Sequence, residues 1–69
     1  HLYPNPVKDL LHFSEEVSNV KITDLSGKMV KQITATAKSV DVSKLSKGNY
    51  IITIVTKKGQ TVTRKFIKD

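Results

Sequence analysis

The chain lacks cysteine and tryptophan, and its only aromatic residues are two Tyr and two Phe. Without cysteine, neither a disulfide nor a thiolate metal site can supplement the hydrophobic core. No apolar run has the length of a membrane span, so membrane insertion is not expected, and no signal peptide opens the sequence. At 69 residues the chain is one domain with a marginally sufficient core, which leaves little volume for a buried catalytic pocket.

Catalytic constellations are also missing from the sequence. The only histidines are His1 and His12, and Asp9, Glu15 and Glu16 near His12 lack the fixed spacing of a zinc site. No phosphate-binding loop, dinucleotide fingerprint or nucleophile elbow is present. We therefore expect no enzyme activity, no metal and no cofactor in this chain.

Positive charge is plentiful, but almost all of it comes from lysine. The 12 Lys and Arg residues outnumber the 6 Asp and Glu residues, the net charge is +6, and Arg64 is the only arginine. Proteins that read bases rely on the planar fork of Arg, whereas Lys acts as a solvated point charge. The scattered lysines favour a soluble β surface with protected edges over a nucleic-acid-binding protein, whose affinity would fall steeply with salt.

Short β-rich runs fill the chain between clusters of Gly, Ser, Asp and Lys, and no stretch shows a helical period. Several runs alternate apolar and polar residues, as half-buried strands do. The pattern predicts an all-β fold with residues 1–69 as one domain: a small immunoglobulin-like antiparallel β-sandwich of about six to seven short strands. We expect strands around Leu11 and Phe13, around Val20 and Ile22, from about Met29 to Thr36, around Val40 and Val42, from Tyr50 to Val55, and from about Thr61 to Lys68.

Two turns and one irregular strand refine this prediction. Asp24–Gly27 has Asp at the first position of a type I turn and Gly where positive φ is needed. Lys57–Gln60 is typical of a hairpin turn with Gly59 as its left-handed residue. The last strand should therefore pair antiparallel with Tyr50–Val55, which we expect at the centre of the sheet. The run from Met29 alternates imperfectly, which indicates a bulge or an edge position.

The segment Tyr3-Pro4-Asn5-Pro6 stands before the first predicted strand. Its two prolines fix two φ angles, remove two backbone donors and push Tyr3 and Asn5 toward extended geometry. We interpret residues 1–8 as a Pro-rich lead-in that sets the angle of entry into the first strand and cannot itself extend a sheet.

Leu45, Gly48 and Tyr50 form a Leu-x-x-Gly-x-Tyr pattern. In immunoglobulin-like sandwiches, a tyrosine near the start of a core strand donates a hydrogen bond to the preceding loop, an arrangement called a tyrosine corner. We expect Leu45 to close the bottom of the core, Gly48 to permit a tight crossing and Tyr50 to fasten the loop. The pattern is therefore interpreted as structural.

The chain ends in the basic and apolar segment Lys65-Phe66-Ile67-Lys68-Asp69, which is the candidate recognition site. As the last strand it should offer a free sheet edge together with a chain terminus. An edge flanked by cations can add to a partner's sheet. The plainer alternative is a last strand with Phe66 or Ile67 buried and with Lys65 and Lys68 in solvent.

Taken in order, these motifs resemble one family across residues 2–69: the C-terminal sorting domain (type A) of cargo proteins of the type IX, or Por, secretion system of Bacteroidetes. The family pattern runs Tyr-Pro-Asn-Pro, a Leu-rich first strand, Asp-Leu-x-Gly-Lys, Leu-x-x-Gly-x-Tyr and a basic-apolar end. By this resemblance Gly48 and Tyr50 match the Gly-x-Tyr element, and Lys65–Lys68 match the terminal recognition strand. The final Asp69 departs from the Lys or Arg that often closes the family.

The resemblance implies that the domain is an address for an upstream cargo domain in a parent chain, and enzymes are among the cargoes that such a domain can follow. The type IX translocon would carry that cargo from the periplasm across the outer membrane, with shuttle and sortase proteins as partners. Typically the sortase then removes the domain, and many cargoes are joined to an anionic lipopolysaccharide. The expected location is secreted or at the cell surface.

An alternative function uses the same fold. An immunoglobulin- or fibronectin-like accessory module would bind carbohydrate or space an enzyme. A sugar platform needs exposed aromatic side chains, but we expect three of Tyr3, Phe13, Tyr50 and Phe66 in the core. Self-association is also open, because an edge strand without its partner can pair with a copy of itself.

Overall fold

The computed structural model describes residues 2–69, and within them it contains strands and no helix. All strand pairs are antiparallel, so the predicted antiparallel all-β fold is confirmed. The strands are β1 (Leu2–Tyr3), β2 (Leu10–Asp24), β3 (Met29–Ile33), β4 (Ala37–Asp41), β5 (Gly48–Thr56) and β6 (Thr61–Lys68).

The six strands belong to one sheet, which curls into a half-barrel. Its path runs β1-β2-β5-β6, and β3 and β4 pair with β2 on the edge opposite to β1 and β5. Two separate stacked sheets, which an immunoglobulin-like sandwich requires, are not confirmed. β5 is an interior strand as expected, but β2 has the larger number of neighbours.

β2 organises the fold because its 15 residues provide room for two neighbours along each edge. The sequence predicted two strands here, around Leu11 and around Val20, and this was wrong. The exposed residues Ser14–Glu16 interrupt the apolar alternation without ending the strand. The pairing of β2 shifts register nearby instead, between His12 and Val17 on the β4 side and between Val17 and Asn19 on the β5 side.

The core lies on the concave side of the sheet. Cross-strand pairs such as Ile22 with Ile52 meet there, and the rings of Tyr50 and Phe66 stack 5.6 Å apart. Three of the four aromatic side chains are buried, as expected, while Tyr3 is 48% exposed. The buried apolar side chains are Val7, Leu11, Phe13, Val17, Val20, Ile22, Val40, Val42, Tyr50, Ile52, Ile54 and Phe66.

Both predicted turns are present. Oδ1 of Asp24 accepts hydrogen bonds from the backbone N–H groups of Ser26 (2.9 Å) and Lys28 (3.0 Å), which closes the turn between β2 and β3. Gly59 has a φ of 85°, in the left-handed region that glycine adopts without steric penalty. β6 then pairs antiparallel with β5 along its whole length, as the hairpin prediction required.

Among residues 2–69, β3 and β4 pair with β2 alone and so form one edge of the sheet. The run predicted from Met29 to Thr36 ends at Ile33, and its pairing with β2 shifts register between Ile22 and Thr23. The predicted edge position and irregularity are therefore confirmed, although the strand is shorter than expected.

The candidate recognition strand

The last residues of β6 alternate between the two faces of the sheet. Phe66 and Lys68 point to the concave side and are 1% and 8% exposed, whereas Ile67 is 44% exposed and Lys65 is also exposed. The expectation that Lys68 is solvated is wrong. A strand places every second residue on the same face, so burial of Phe66 turns the Lys68 side chain inward as well.

Lys68 keeps its ammonium group satisfied in this position. Its Nζ donates a hydrogen bond to the backbone oxygen of Asp69 at 3.0 Å. Gly48 stands opposite Lys68 in the β5–β6 pairing. Long charged side chains commonly bury the stem in this way while the charge stays near solvent.

The outer edge of β6 is occupied at its end by the segment Asn5–Val7, which we call the terminal clamp. The Ile67 N–H donates to Oδ1 of Asn5 at 2.9 Å, and the Val7 N–H donates to the oxygen of Ile67 at 2.9 Å. The Asp69 N–H donates to the oxygen of Val7 at 2.8 Å. Val7 and Lys68 thereby form an isolated parallel bridge.

The terminal clamp corrects two expectations. The Pro-rich lead-in was expected not to extend a sheet, yet Val7, after the second proline, pairs with β6 through its own N–H and C=O. The edge was expected to be free over the whole recognition segment, yet the backbone groups of Ile67 and Asp69 on this side are bonded. Among residues 2–69, the main chain of β6 is unpaired on this edge only from Lys65 back toward Thr61.

The rest of the N-terminal segment is part of the fold as well. β1 pairs with β2 through Leu2 opposite Phe13 and Tyr3 opposite His12, and the Tyr3 and His12 rings stack 5.5 Å apart. The peptide bonds preceding Pro4 and Pro6 are both cis. Residues 2–7 are thus bound to two strands of the sheet, β2 and β6.

The predicted tyrosine corner is present. The Tyr50 hydroxyl donates a hydrogen bond to the backbone oxygen of Ser46 at 2.7 Å, and Leu45 packs half-buried against the core. Gly48 has a φ of 147°, while a Cβ at this position would meet no atom within 4 Å. Glycine is therefore required here by the backbone conformation, not by a lack of space.

The perturbed carboxyl groups belong to turns and to one ion pair. The hydrogen bonds from Ser26 and Lys28 lower the pKa of Asp24, and those from Ser43 lower the pKa of Asp41. The hydrogen bond and charge of Lys57, whose Nζ lies 2.6 Å from Oε1 of Glu16, lower the pKa of Glu16. All three groups are at the surface, so each shift has a local structural cause.

Other kinds of site find no support in residues 2–69. This part of the chain holds no group of three or more His, Asp or Glu side chains arranged for a metal ion. It also holds no helix long and apolar enough to cross a membrane.

The fold and the end strand define a small β domain whose last strand has an ordered edge. The chain belongs to the secretion system C-terminal sorting domain family, whose model matches residues 1–69. Members of this family are C-terminal sorting signals for type IX secretion, and such a domain is not itself catalytic. No curated protein and no solved structure gives a significant match.

Proposed function

We propose that this domain directs an upstream cargo protein through the periplasm and across the outer membrane by the type IX translocon, after which a surface sortase typically removes it. Family membership across the whole chain supports this proposal. The cargo then reaches the cell surface or the medium. The partners are the translocon and its shuttle and sortase proteins.

The structure suggests a division of labour within the recognition segment Lys65–Asp69. Phe66 and Lys68 are buried and hold the strand against the core, while Lys65 and Ile67 face outward. The outward pair, together with the exposed Asp69, forms the surface that a shuttle protein contacts. This arrangement of an anchored strand with an outward face is the observation that carries the assignment of the site.

The carbohydrate-binding alternative gains no support from the structure. Tyr3 is the one exposed aromatic residue among residues 2–69, and its ring is stacked on His12. A platform for sugar rings needs an open aromatic face.

A localisation assay tests the proposal. Residues 1–69 are fused behind a fluorescent reporter with a Sec signal and expressed in Bacteroidetes strains with and without a working type IX translocon. We expect reporter at the surface or in the medium of the competent strain only. Reporter retained in the periplasm of both strains, with the domain folded, would contradict the proposal.

A matched pair of variants tests the site without disturbing the core. Lys65→Ala with Ile67→Ser removes the outward lysine and apolar side chain of β6. Lys28→Ala with Met29→Ser makes the same change at exposed residues on the opposite edge of the sheet. We expect the first pair to block export and the second to leave it unchanged. Equal export of both variants would show that the outward face of the end strand is not the recognition site.

A further inference from the structure

The outer edge of β6 remains open between Thr61 and Lys65, and we call this stretch the open edge. Backbone groups along a strand point alternately to its two sides. The backbone groups of Ile67 and Asp69 point toward the terminal clamp. The backbone groups of every second residue before them, Thr61, Thr63 and Lys65, therefore point to the same side. No strand in residues 2–69 pairs with β6 on this side.

A groove runs beside the open edge. Between β6 and β1 it is lined by Leu2, Asn5, Arg64 and Lys65. Arg64 also lines an adjoining hollow whose floor includes the apolar residues Phe13 and Val62. The groove and the hollow thus meet at Arg64, and the apolar part of the lining belongs to the hollow near the β5–β6 hairpin.

The opposite edge of the sheet is a poorer template for a strand. β3 and β4 are separate five-residue strands, and their pairing with β2 shifts register twice. Such interruptions blunt an edge against further pairing. β6 has eight residues and pairs with β5 without any register shift.

Charge specifies the kind of strand that fits the groove. Arg64 and Lys65 are consecutive exposed cations that both line the groove, one from each face of β6, and Nη1 of Arg64 donates to the oxygen of Thr63 at 3.0 Å. The acidic side chain in the hollow is that of Glu15, nearer the hairpin end. Acidic residues of a partner would therefore be favoured opposite Arg64 and Lys65.

We propose that the open edge binds an acidic extended segment of another protein by β-augmentation. The partner's main chain pairs with Thr61, Thr63 and Lys65, an apolar side chain covers Val62, and a carboxylate displaces the Thr63 oxygen from Arg64. A second copy of this chain is disfavoured as the occupant because both copies carry a net charge of +6. This binding does not rest on the proposed export function.

The test uses the 69-residue protein and the synthetic peptide acetyl-Thr-Val-Glu-Glu-Glu-Val-Thr-amide, which offers a Val and a Glu on one face and further Glu on the other, followed by amide NMR and hydrogen exchange. We expect the peptide to shift the Thr63 and Lys65 amide resonances and to slow their exchange. The same peptide with Lys in place of all three Glu should bind about tenfold more weakly, because it brings like charges together.

Two variants sharpen the result. Thr63→Pro removes the outward N–H and should abolish binding, whereas Thr63→Val keeps that N–H and should bind normally. If Thr63→Pro fails to fold, Arg64→Gln decides: it should narrow the difference in affinity between the acidic and basic peptides, with Lys65 accounting for what remains. An unchanged preference for the acidic peptide in Arg64→Gln would overturn the charge assignment.

Other outcomes would overturn the proposal itself. The first is no change in amide shifts or exchange at millimolar peptide, and the second is a change confined to β3 and β4. The third is slower exchange of Thr63 and Lys65 when the protein concentration alone is raised, which would make the occupant a second copy. A domain that exports its reporter but binds no acidic peptide would refute this inference and leave the proposed function standing.

Discussion

At the scale of single residues, Tyr50 connects the loop before β5 to the core. Its ring stacks on Phe66 inside the half-barrel, and its hydroxyl donates to the backbone oxygen of Ser46 in the loop. Leu45 packs against the core from the same loop. One side chain thus contributes both apolar contact and the hydrogen bond that fixes the path of the chain into β5.

Replacing Tyr50 by Phe keeps the ring and removes the hydroxyl. We expect the free energy of unfolding in urea to fall by about 1 kcal/mol, the net contribution of one hydrogen bond. Ser46→Ala is the matched control, because the acceptor is the backbone oxygen of residue 46 and remains in place. Equal stability of Tyr50→Phe and the parent would show that the hydrogen bond contributes nothing.

Asp24 links the β2–β3 turn to pH. Its pKa is lowered by hydrogen bonds from Ser26 and Lys28, so the folded state favours the carboxylate more than the unfolded state does. The stabilisation is present above the unfolded pKa, about 3.9, and is lost as pH falls through the folded value. Asp24→Asn should flatten the acid limb of the melting temperature against pH; an acid limb identical to the parent's would contradict this.

Residue types with fixed local geometry were predictable from the sequence. The Asp24 turn, the left-handed Gly59 and the Tyr50 hydrogen bond each depend on neighbours within a few positions, and all three are confirmed. The burial of Lys68 was missed because a charged side chain was expected to face solvent. Its direction follows instead from the alternation of the strand, which puts Lys68 on the same face as the buried Phe66.

At the scale of the elements, the end of β6 has one structural and one outward face. Lys68→Ala removes a buried stem and should lower the free energy of unfolding by about 1 kcal/mol or more, whereas Lys65→Ala should change it by less than about 0.5 kcal/mol. Chemical denaturation of both variants measures the difference. Equal losses would mean that the Lys68 side chain adds no packing.

The terminal clamp predicts a specific change in amide exchange. Asn5→Ala removes the acceptor of the Ile67 N–H, so that amide should exchange faster, with a loss of about 0.5–1.5 kcal/mol in stability. Asn49→Ala is the control, since Asn49 is exposed and stands opposite Ile67 on β5. Unchanged exchange at Ile67 in the Asn5 variant would mean that its N–H finds another acceptor.

Neither the terminal clamp nor the continuous β2 was predictable from local pattern. Asn5 and Ile67 are 62 positions apart, and no periodicity in the sequence connects them. In β2 the exposed Ser14–Glu16 stretch has the composition of a connecting segment, but the pairing of β2 before and after it is consistent with one continuous strand. The hairpin of β5 and β6 was predicted correctly because a short turn sets its register.

At the scale of the whole molecule, the recognition segment and the core share residues. Deleting 65–69 removes the buried Phe66, and truncating a buried Phe to Ala alone removes about 3–5 kcal/mol. Small domains have only about 5 kcal/mol or slightly more in total. We expect this deletion to unfold the domain, as measured by circular dichroism.

Deleting Asp69 alone is the control for that experiment, because it removes only the hydrogen bonds of Asp69 to Val7 and Lys68 and leaves Phe66 and Lys68 in place. It should retain a cooperative thermal transition. A folded 65–69 deletion would mean that β6 is dispensable for the core. The outward substitutions at Lys65 and Ile67 therefore report on recognition more cleanly than truncation does.

The terminal clamp also determines how the molecule bears a mechanical load. Tension applied to the backbone at residue 2 would first peel the two-residue β1 from β2 and would then reach the bonds between Asn5–Val7 and the end of β6. Those bonds would have to break before the tension could pull the buried Val7 side chain out of the core. A pull on the first residues of the fold is thereby felt at its last ones before the core opens.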